Sequence, residues 1–155
     1  GRVQSSHLVV IDLIKEPQKM PTIKRIDHIA ILVDDLDGTL DFWRDALGLP
    51  LAHTEENPAE QAKIAFLPAG DSEIELVKPT TDDSGLARYL EKRGPGMHHI
   101  CLEVDDLEGM LAQLKEKGIQ LINEEPRLGS GGKKYAFIHP KSAHGVMVEL
   151  YELPG

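Results

Sequence analysis

One segment of this chain occurs twice, and each copy carries a histidine at the same place. His28-Ile-Ala-Ile-Leu-Val-Asp-Asp-Leu36 returns as His99-Ile-Cys-Leu-Glu-Val-Asp-Asp-Leu107, an offset of 71 residues (99 − 28). Extended without a gap to Leu40 and Leu111, the copies are identical at 8 of 13 positions. A repeat of this length marks a duplicated supersecondary module, and such modules bury their apolar faces against one another. A pseudo-twofold between two modules brings equivalent residues together, so one histidine from each half can share a site.

The first copy reads as strand, helix, strand, strand, strand. Residues 26–33 alternate and branch like a strand. Asp34 and Asp35 can cap the next helix, on which Leu36, Leu40, Trp43 and Leu47 form one stripe and which Gly48 ends. Apolar stretches at 49–54, 63–67 and 73–78 supply three more strands. A linking helix runs from Ser84 to Arg93 and closes at Gly94-Pro-Gly96. The second copy repeats the order. A strand at 97–104 leads to a helix from Asp106 to Lys117 stopped by Gly118, then strands near 119–122, 134–139 and 146–151. The expectation is an α+β fold of two paired βαβββ modules in one domain over 23–152: module one at 24–80, the linking helix at 84–93 and module two at 97–152. Residues 1–22 lie outside the repeat and read as an N-terminal extension, an extra strand or a tail.

Alternation along a strand sorts the side chains by face. Ile29, Ile31 and Val33 should meet the first helix, leaving His28, Ala30 and Leu32 opposite. Ile100, Leu102 and Val104 should likewise meet the second helix, leaving His99, Cys101 and Glu103 opposite. His98 is then expected to point away from His99, in a hydrogen-bonded structural role. In the last strand of each module a glutamate stands between aliphatics: Glu75 between Ile74 and Leu76, Glu149 between Val148 and Leu150. Two imidazoles and two carboxylates around an open cavity suit a divalent first-row transition metal. His28, Glu75, His99 and Glu149 are the candidate ligands.

Composition narrows the partners. A net charge of −9 argues against nucleic acid or an anionic membrane surface as the main partner. No apolar run approaches the roughly 20 residues of a membrane helix, and the stretch Leu8 to Ile14, broken by Asp12, is not read as a signal peptide. Cys101 is the single cysteine, so no internal disulfide forms and a reducing cytoplasm is expected. From Pro126 to Val148 no acidic residue occurs, while Arg127, Lys133, Lys134 and Lys141 do, around the loop Gly129-Ser-Gly-Gly132. Such a window can attract phosphates.

These features resemble the vicinal oxygen chelate (glyoxalase/bleomycin resistance/dioxygenase) superfamily, and within it the methylmalonyl-CoA epimerase family. The resemblance covers roughly 24–152 and rests on Ile26-Asp-His-Ile-Ala30, Phe42-Trp43 with Leu47-Gly48, Phe66-Leu-Pro68, Glu73-Ile-Glu-Leu76, Gly96-Met-His-His-Ile-Cys101, Val104-Asp-Asp-Leu107, Phe137-Ile-His-Pro-Lys141 and Gly145-Val-Met-Val-Glu-Leu150. It implies a curved sheet around a metal site, a divalent ion (Co, Zn, Mn or Ni) on His28, His99 and Glu149 with Glu75 fourth, and a homodimer. The implied reaction interconverts (2R)- and (2S)-methylmalonyl-CoA by α-proton abstraction and a metal-stabilised enolate. Two acid/base groups are needed, and Glu75 and Glu149 are the candidates. Lys133, Lys134 and Lys141 are the candidates for binding the acyl-CoA carrier. Some family members carry a further carboxylate near 60–66, which Gln61-Ala-Lys-Ile-Ala65 lacks. Glyoxalase I, an extradiol dioxygenase and a metal-free binding protein share the fold. The first loses ground because its usual Asp-Pro-Asp-Gly is replaced by His139-Pro-Lys-Ser-Ala-His-Gly145. The fourth candidate ligand argues against the second, and intact ligands argue against the third.

Overall fold

The two expected modules meet along two central antiparallel strands, β1 (Ile23–Leu32) and β5 (Gly96–Val104). The computed structural model describes residues 19–155. The N-terminal extension expected at 1–22 therefore falls almost wholly outside the described residues. Module one adds helix α1 (Leu36–Leu40), then β2 (His53–Asn57), β3 (Ala62–Ala69) and β4 (Ser72–Pro79). Helix α2 (Gly85–Arg93) links the halves. Module two adds α3 (Leu107–Glu116), β6 (Arg127–Leu128), β7 (Lys134–Ile138) and β8 (Val148–Glu152). The strands form one curved, open eight-stranded sheet in the order β2-β3-β4-β1-β5-β8-β7-β6, the same sequence of roles read outward from either side of the centre. β4 lies parallel to β1, and β8 parallel to β5.

The repeat shows in the helix starts. Asp35 caps α1 by accepting from the Gly38 amide, and Asp106 caps α3 by accepting from the Gly109 amide, each at 3.0 Å. A Cβ on either glycine would run into that capping carboxylate, which would have to turn away from its cap position. On the helix side of the sheet, Leu36 and Leu40 pack with Val33, Ala65, Leu67 and Leu76. Leu107, Met110 and Leu111 pack with Val104, Ala136, Ile138 and Leu150. Fully burying one such leucine contributes roughly 1.5–3 kcal/mol. On the other side, Ala30 and Leu32 pack with Ile64 and Val77 beneath Leu86, Tyr89 and Leu90 of α2. Helix α2 thus closes one end of the concave face.

Three local differences from the sequence reading have physical causes. The first helix widens into a π-helical turn over Asp41–Ala46. A wider turn rotates an α-helical stripe off its face, so Leu47 ends 56% exposed although Leu36 and Leu40 are buried. The apolar residues of 49–54 are not strand: Leu49 and Leu51 pack against the α1 cluster from irregular backbone, and β2 begins later, at His53. In 119–122 only Leu121 makes a bridge, to Ile138, while Ile119 and Leu121 pack under α3. Apolarity there marks burial, and pairing is confined to that single bridge.

Candidate metal centre

The β1–β5 register builds the centre. His28 pairs with Cys101 and Ala30 with His99, so the histidines sit diagonally across the seam. Glu75 stands beside Ala30 on β4, and Glu149 beside Cys101 on β8. The Nε2 atoms of His28 and His99 are 3.2 Å apart. Oε1 of Glu149 lies 3.0 Å from Nε2 of His99 and 3.5 Å from Nε2 of His28. The donor atoms of these three residues all fall within 4.8 Å of one another. Two ring nitrogens so close repel as lone pairs unless a cation or a shared proton sits between them. The geometry is therefore a receptacle for positive charge, and two imidazoles with one carboxylate fit a divalent first-row metal.

Glu75 lies on the other side of the His28 ring. Its Oε2 is 3.1 Å from Nδ1, the atom that also faces Oδ2 of Asp27 at 2.7 Å. To join the other three ligands its carboxylate would have to turn toward Nε2. A second group of donors, Asp27, His28 and Cys101, also falls within 4.8 Å. Burial pushes the Cys101 thiol up to about 12, so it is protonated in the metal-free centre.

Charges in the centre are strongly coupled. Burial would lower the pKa of His28, but its hydrogen bonds to Asp27, Cys101 and Glu149 and the field of Glu75 outweigh burial and raise it to about 12. Burial would raise Glu149, yet hydrogen bonds from His28 and His99 bring it down to about 2. Glu75 goes the other way. Burial, helped by the charges of Glu149, Glu73 and Asp27 and opposed by His28, lifts it to about 7. Two carboxylates in one cavity thus differ sharply in proton affinity, as acid/base sites require.

A cavity of about 600 Å³ opens onto the centre, with His28, Glu75, His99 and Glu149 in its wall. Of the three lysines, Lys133 alone lines it, its ammonium 5.2 Å from the centre of the Tyr151 ring. Lys134 turns to the other face of β7 and meets Glu108 of α3 at 3.7 Å, as strand alternation requires. Lys141 is exposed on the turn Pro140–Ala143.

Two wall residues escaped or contradicted the sequence reading. Glu60 sits on the β2–β3 turn, within 60–66 but one residue before the carboxylate-free stretch Gln61–Ala65, and reaches the cavity. Its amide donates to Oδ1 of Asn57 at 3.1 Å. Burial and the charge of Glu149 raise its pKa. The Asn57-Pro58 turn signal was there to read, but the direction of a turn side chain is not periodic. His98 does not point away from His99. It lines the cavity, and its Nδ1 is 2.8 Å from Nδ1 of His99. Burial and the field of His99 lower its pKa to about 4, so it is neutral.

Residues 27–137 match the family model of the glyoxalase/bleomycin resistance protein/dioxygenase superfamily. The mitochondrial methylmalonyl-CoA epimerase of Homo sapiens is 38% identical over 127 residues, 81% of this chain and 72% of the human protein. An ethylmalonyl-CoA/methylmalonyl-CoA epimerase of Cereibacter sphaeroides is 35% identical over 133 residues, 84% of this chain and 99% of that protein. A solved methylmalonyl-CoA epimerase in complex with methylmalonyl-CoA and ammonium superposes with a TM-score of 0.75 at 37% identity, covering 86% of this chain and 97% of that one.

Proposed function

From the premise that this chain belongs to the glyoxalase/bleomycin resistance protein/dioxygenase superfamily, we propose that it is an epimerase that interconverts (2R)- and (2S)-methylmalonyl-CoA. The carrying observation is the cluster of His28, His99 and Glu149 in the wall of a cavity that also holds further carboxylates of raised pKa. The α-proton of such a substrate lies between a thioester carbonyl and a carboxylate. His28, His99 and Glu149 would hold a divalent ion, with Glu75 the remaining candidate donor. A bound cobalt, zinc, manganese or nickel ion would supply Lewis-acid stabilisation of the charge that develops on those two groups as the proton leaves.

The chain's own residues handle the proton. Inverting a carbon centre requires removal from one face and return on the other. Glu149 and Glu75 come from equivalent strands of the two modules, and we assign them as the acid/base pair. A carboxyl lifted to about 7 exchanges protons readily near neutral pH, which suits Glu75 to this work. Lys133 at the cavity wall is the contact we assign to the coenzyme A carrier, with Lys141 extending the basic surface beyond it and Lys134 turned away to Glu108. The domain bounds we assign are 23–152. A single buried free thiol at Cys101 agrees with a cytoplasmic setting, and the family resemblance supports a homodimer.

The test is solvent deuterium exchange at the α-carbon of methylmalonyl-CoA, followed by NMR with cobalt-loaded protein. Exchange and interconversion without net loss of substrate are expected. Conversion of the methylglyoxal–glutathione hemithioacetal with no exchange on methylmalonyl-CoA would move the assignment to glyoxalase I.

A further inference from the structure

The residue immediately before each central histidine sits at a β-bulge, and both bulges occur at repeat-equivalent positions. Along the β1–β5 ladder, Ile26 pairs with Leu102 but His28 pairs with Cys101, so Asp27 is an extra residue on β1. Ala30 pairs with His99 but Ile31 pairs with Met97, so His98 is an extra residue on β5. Asp27 and His98 are related by the same 71-residue offset as His28 and His99 (98 − 27). In a regular strand, neighbours face opposite sides. A bulge breaks that alternation and re-aims a side chain. Here it brings Asp27 into the cavity wall beside His28, and His98 beside His99.

Each re-aimed side chain meets Nδ1 of the histidine that follows it. Oδ2 of Asp27 is 2.7 Å from Nδ1 of His28, and Nδ1 of His98 is 2.8 Å from Nδ1 of His99. We infer that Asp27 and His98 are a matched pair of positioning residues that keep a proton on Nδ1 of His28 and of His99, so that Nε2 is the nitrogen each ring gives up to a metal ion. Asp27, as a carboxylate, can only accept, so the proton on that side is fixed on His28. Asp27 is itself anchored by Nη2 of Arg25 at 2.8 Å, and Arg25 is tied through Nε to the buried Glu103 at 2.9 Å. On the other side the His99 Nδ1–H donates to the bare Nδ1 of His98, which must then carry its own proton on Nε2. The ring of His98 is braced edge-on by Tyr89, with ring centres 4.8 Å apart. The duplication thus keeps the position of the outer acceptor and changes its chemistry, from an anion on one histidine to a neutral imidazole on the other.

This inference rests on the metal reading of the centre, and the test separates the two. Cobalt(II) affinity is measured by chelator competition for the wild-type protein, Asp27→Asn, His98→Ala and His98→Asp. Loss of an outer hydrogen-bond partner typically weakens metal binding by roughly 10–100-fold. His98→Ala should show a loss of that size, and His98→Asp, which restores an acceptor of the kind used at Asp27, should recover most of it. Asp27→Asn, which weakens the acceptor without changing its size, should fall between. Nitrogen-15 NMR of the zinc-loaded protein supplies a readout that a merely structural role would not move. The wild type should show a slowly exchanging Nδ1 proton on His99, and His98→Ala should lose it while the backbone spectrum is kept. If His98→Ala does not fold, His98→Asp and Asp27→Asn still carry the comparison. Wild-type protein that takes up no cobalt would overturn the metal reading and this inference with it. Wild-type uptake with unchanged affinity and unchanged Nδ1 proton exchange in the variants would overturn this inference alone.

Discussion

Glu149→Gln keeps the size of the side chain and one oxygen but removes the anion between two imidazoles, and its effect on the metal-free protein can be worked out. The carboxylate is 9% exposed and lies 3.0 Å and 3.5 Å from the two Nε2 atoms. Burial alone would raise its pKa. The hydrogen bonds from His28 and His99 overcome burial and take it from 4.5 to about 2. That difference corresponds to about 3 kcal/mol favouring the ionised, folded form. The figure agrees with the 3–5 kcal/mol typical of breaking a buried charge pair by removing one partner. A carboxylate with a depressed folded-state pKa contributes stability that is complete above its unfolded value and is lost as pH falls through the folded value. Wild-type minus variant stability should therefore be about 3 kcal/mol at pH 7, fall to less than half of that at pH 3, and vanish below about pH 2. Urea denaturation of chelator-treated protein at pH 7 and pH 3 measures both gaps. A gap under about 1 kcal/mol at pH 7, or the same gap at both pH values, would falsify the coupling of Glu149 to the histidine pair.

Three further predictions follow from the cavity wall and the repeat. Lys133→Glu should weaken binding of a CoA ester, more so at low salt where screening is weaker, whereas Lys134→Glu, which faces Glu108, should have little effect. Isothermal titration calorimetry of both variants checks this, and equal losses would remove Lys133 from the carrier site. Glu75→Gln should abolish interconversion yet leave solvent exchange into one enantiomer through Glu149. Exchange into both enantiomers would shift the second acid/base role to another wall carboxylate, and repeating the experiment with Glu60→Gln names it. Asp106→Ala should cost about 1 kcal/mol, because the cap of α3 is lost. A urea midpoint equal to wild type would count against the cap.

Much of the architecture was legible because it follows rules of short range. Period-two alternation correctly assigned Ile31 and Val33 to the helix side and His28, Ala30 and Leu32 to the other. Asp35 and Asp106 announced the helix starts, since a cap is chosen by residues three positions apart. Where apolar runs served tertiary packing, as at Leu49, Leu51, Ile119 and Leu121, the same rules named strands that did not form.

What the amino-acid order determined by itself was the duplication, and with it the meeting of His28 with His99 and of Glu149 with both. A repeat states which residues are equivalent, and a pseudo-twofold then leaves them few places to go. Tertiary structure alone decided how each side chain is aimed within the site. The bulges that turn Asp27 and His98 inward arise from pairing between strands some 70 positions apart, which no local period encodes. The side of the His28 ring that Glu75 takes, and the reach of Glu60 from its turn into the cavity, depend on the curvature of the whole sheet. The difference is one of range: local patterns settle which face a residue occupies, while long-range register and sheet shape settle which atom it touches.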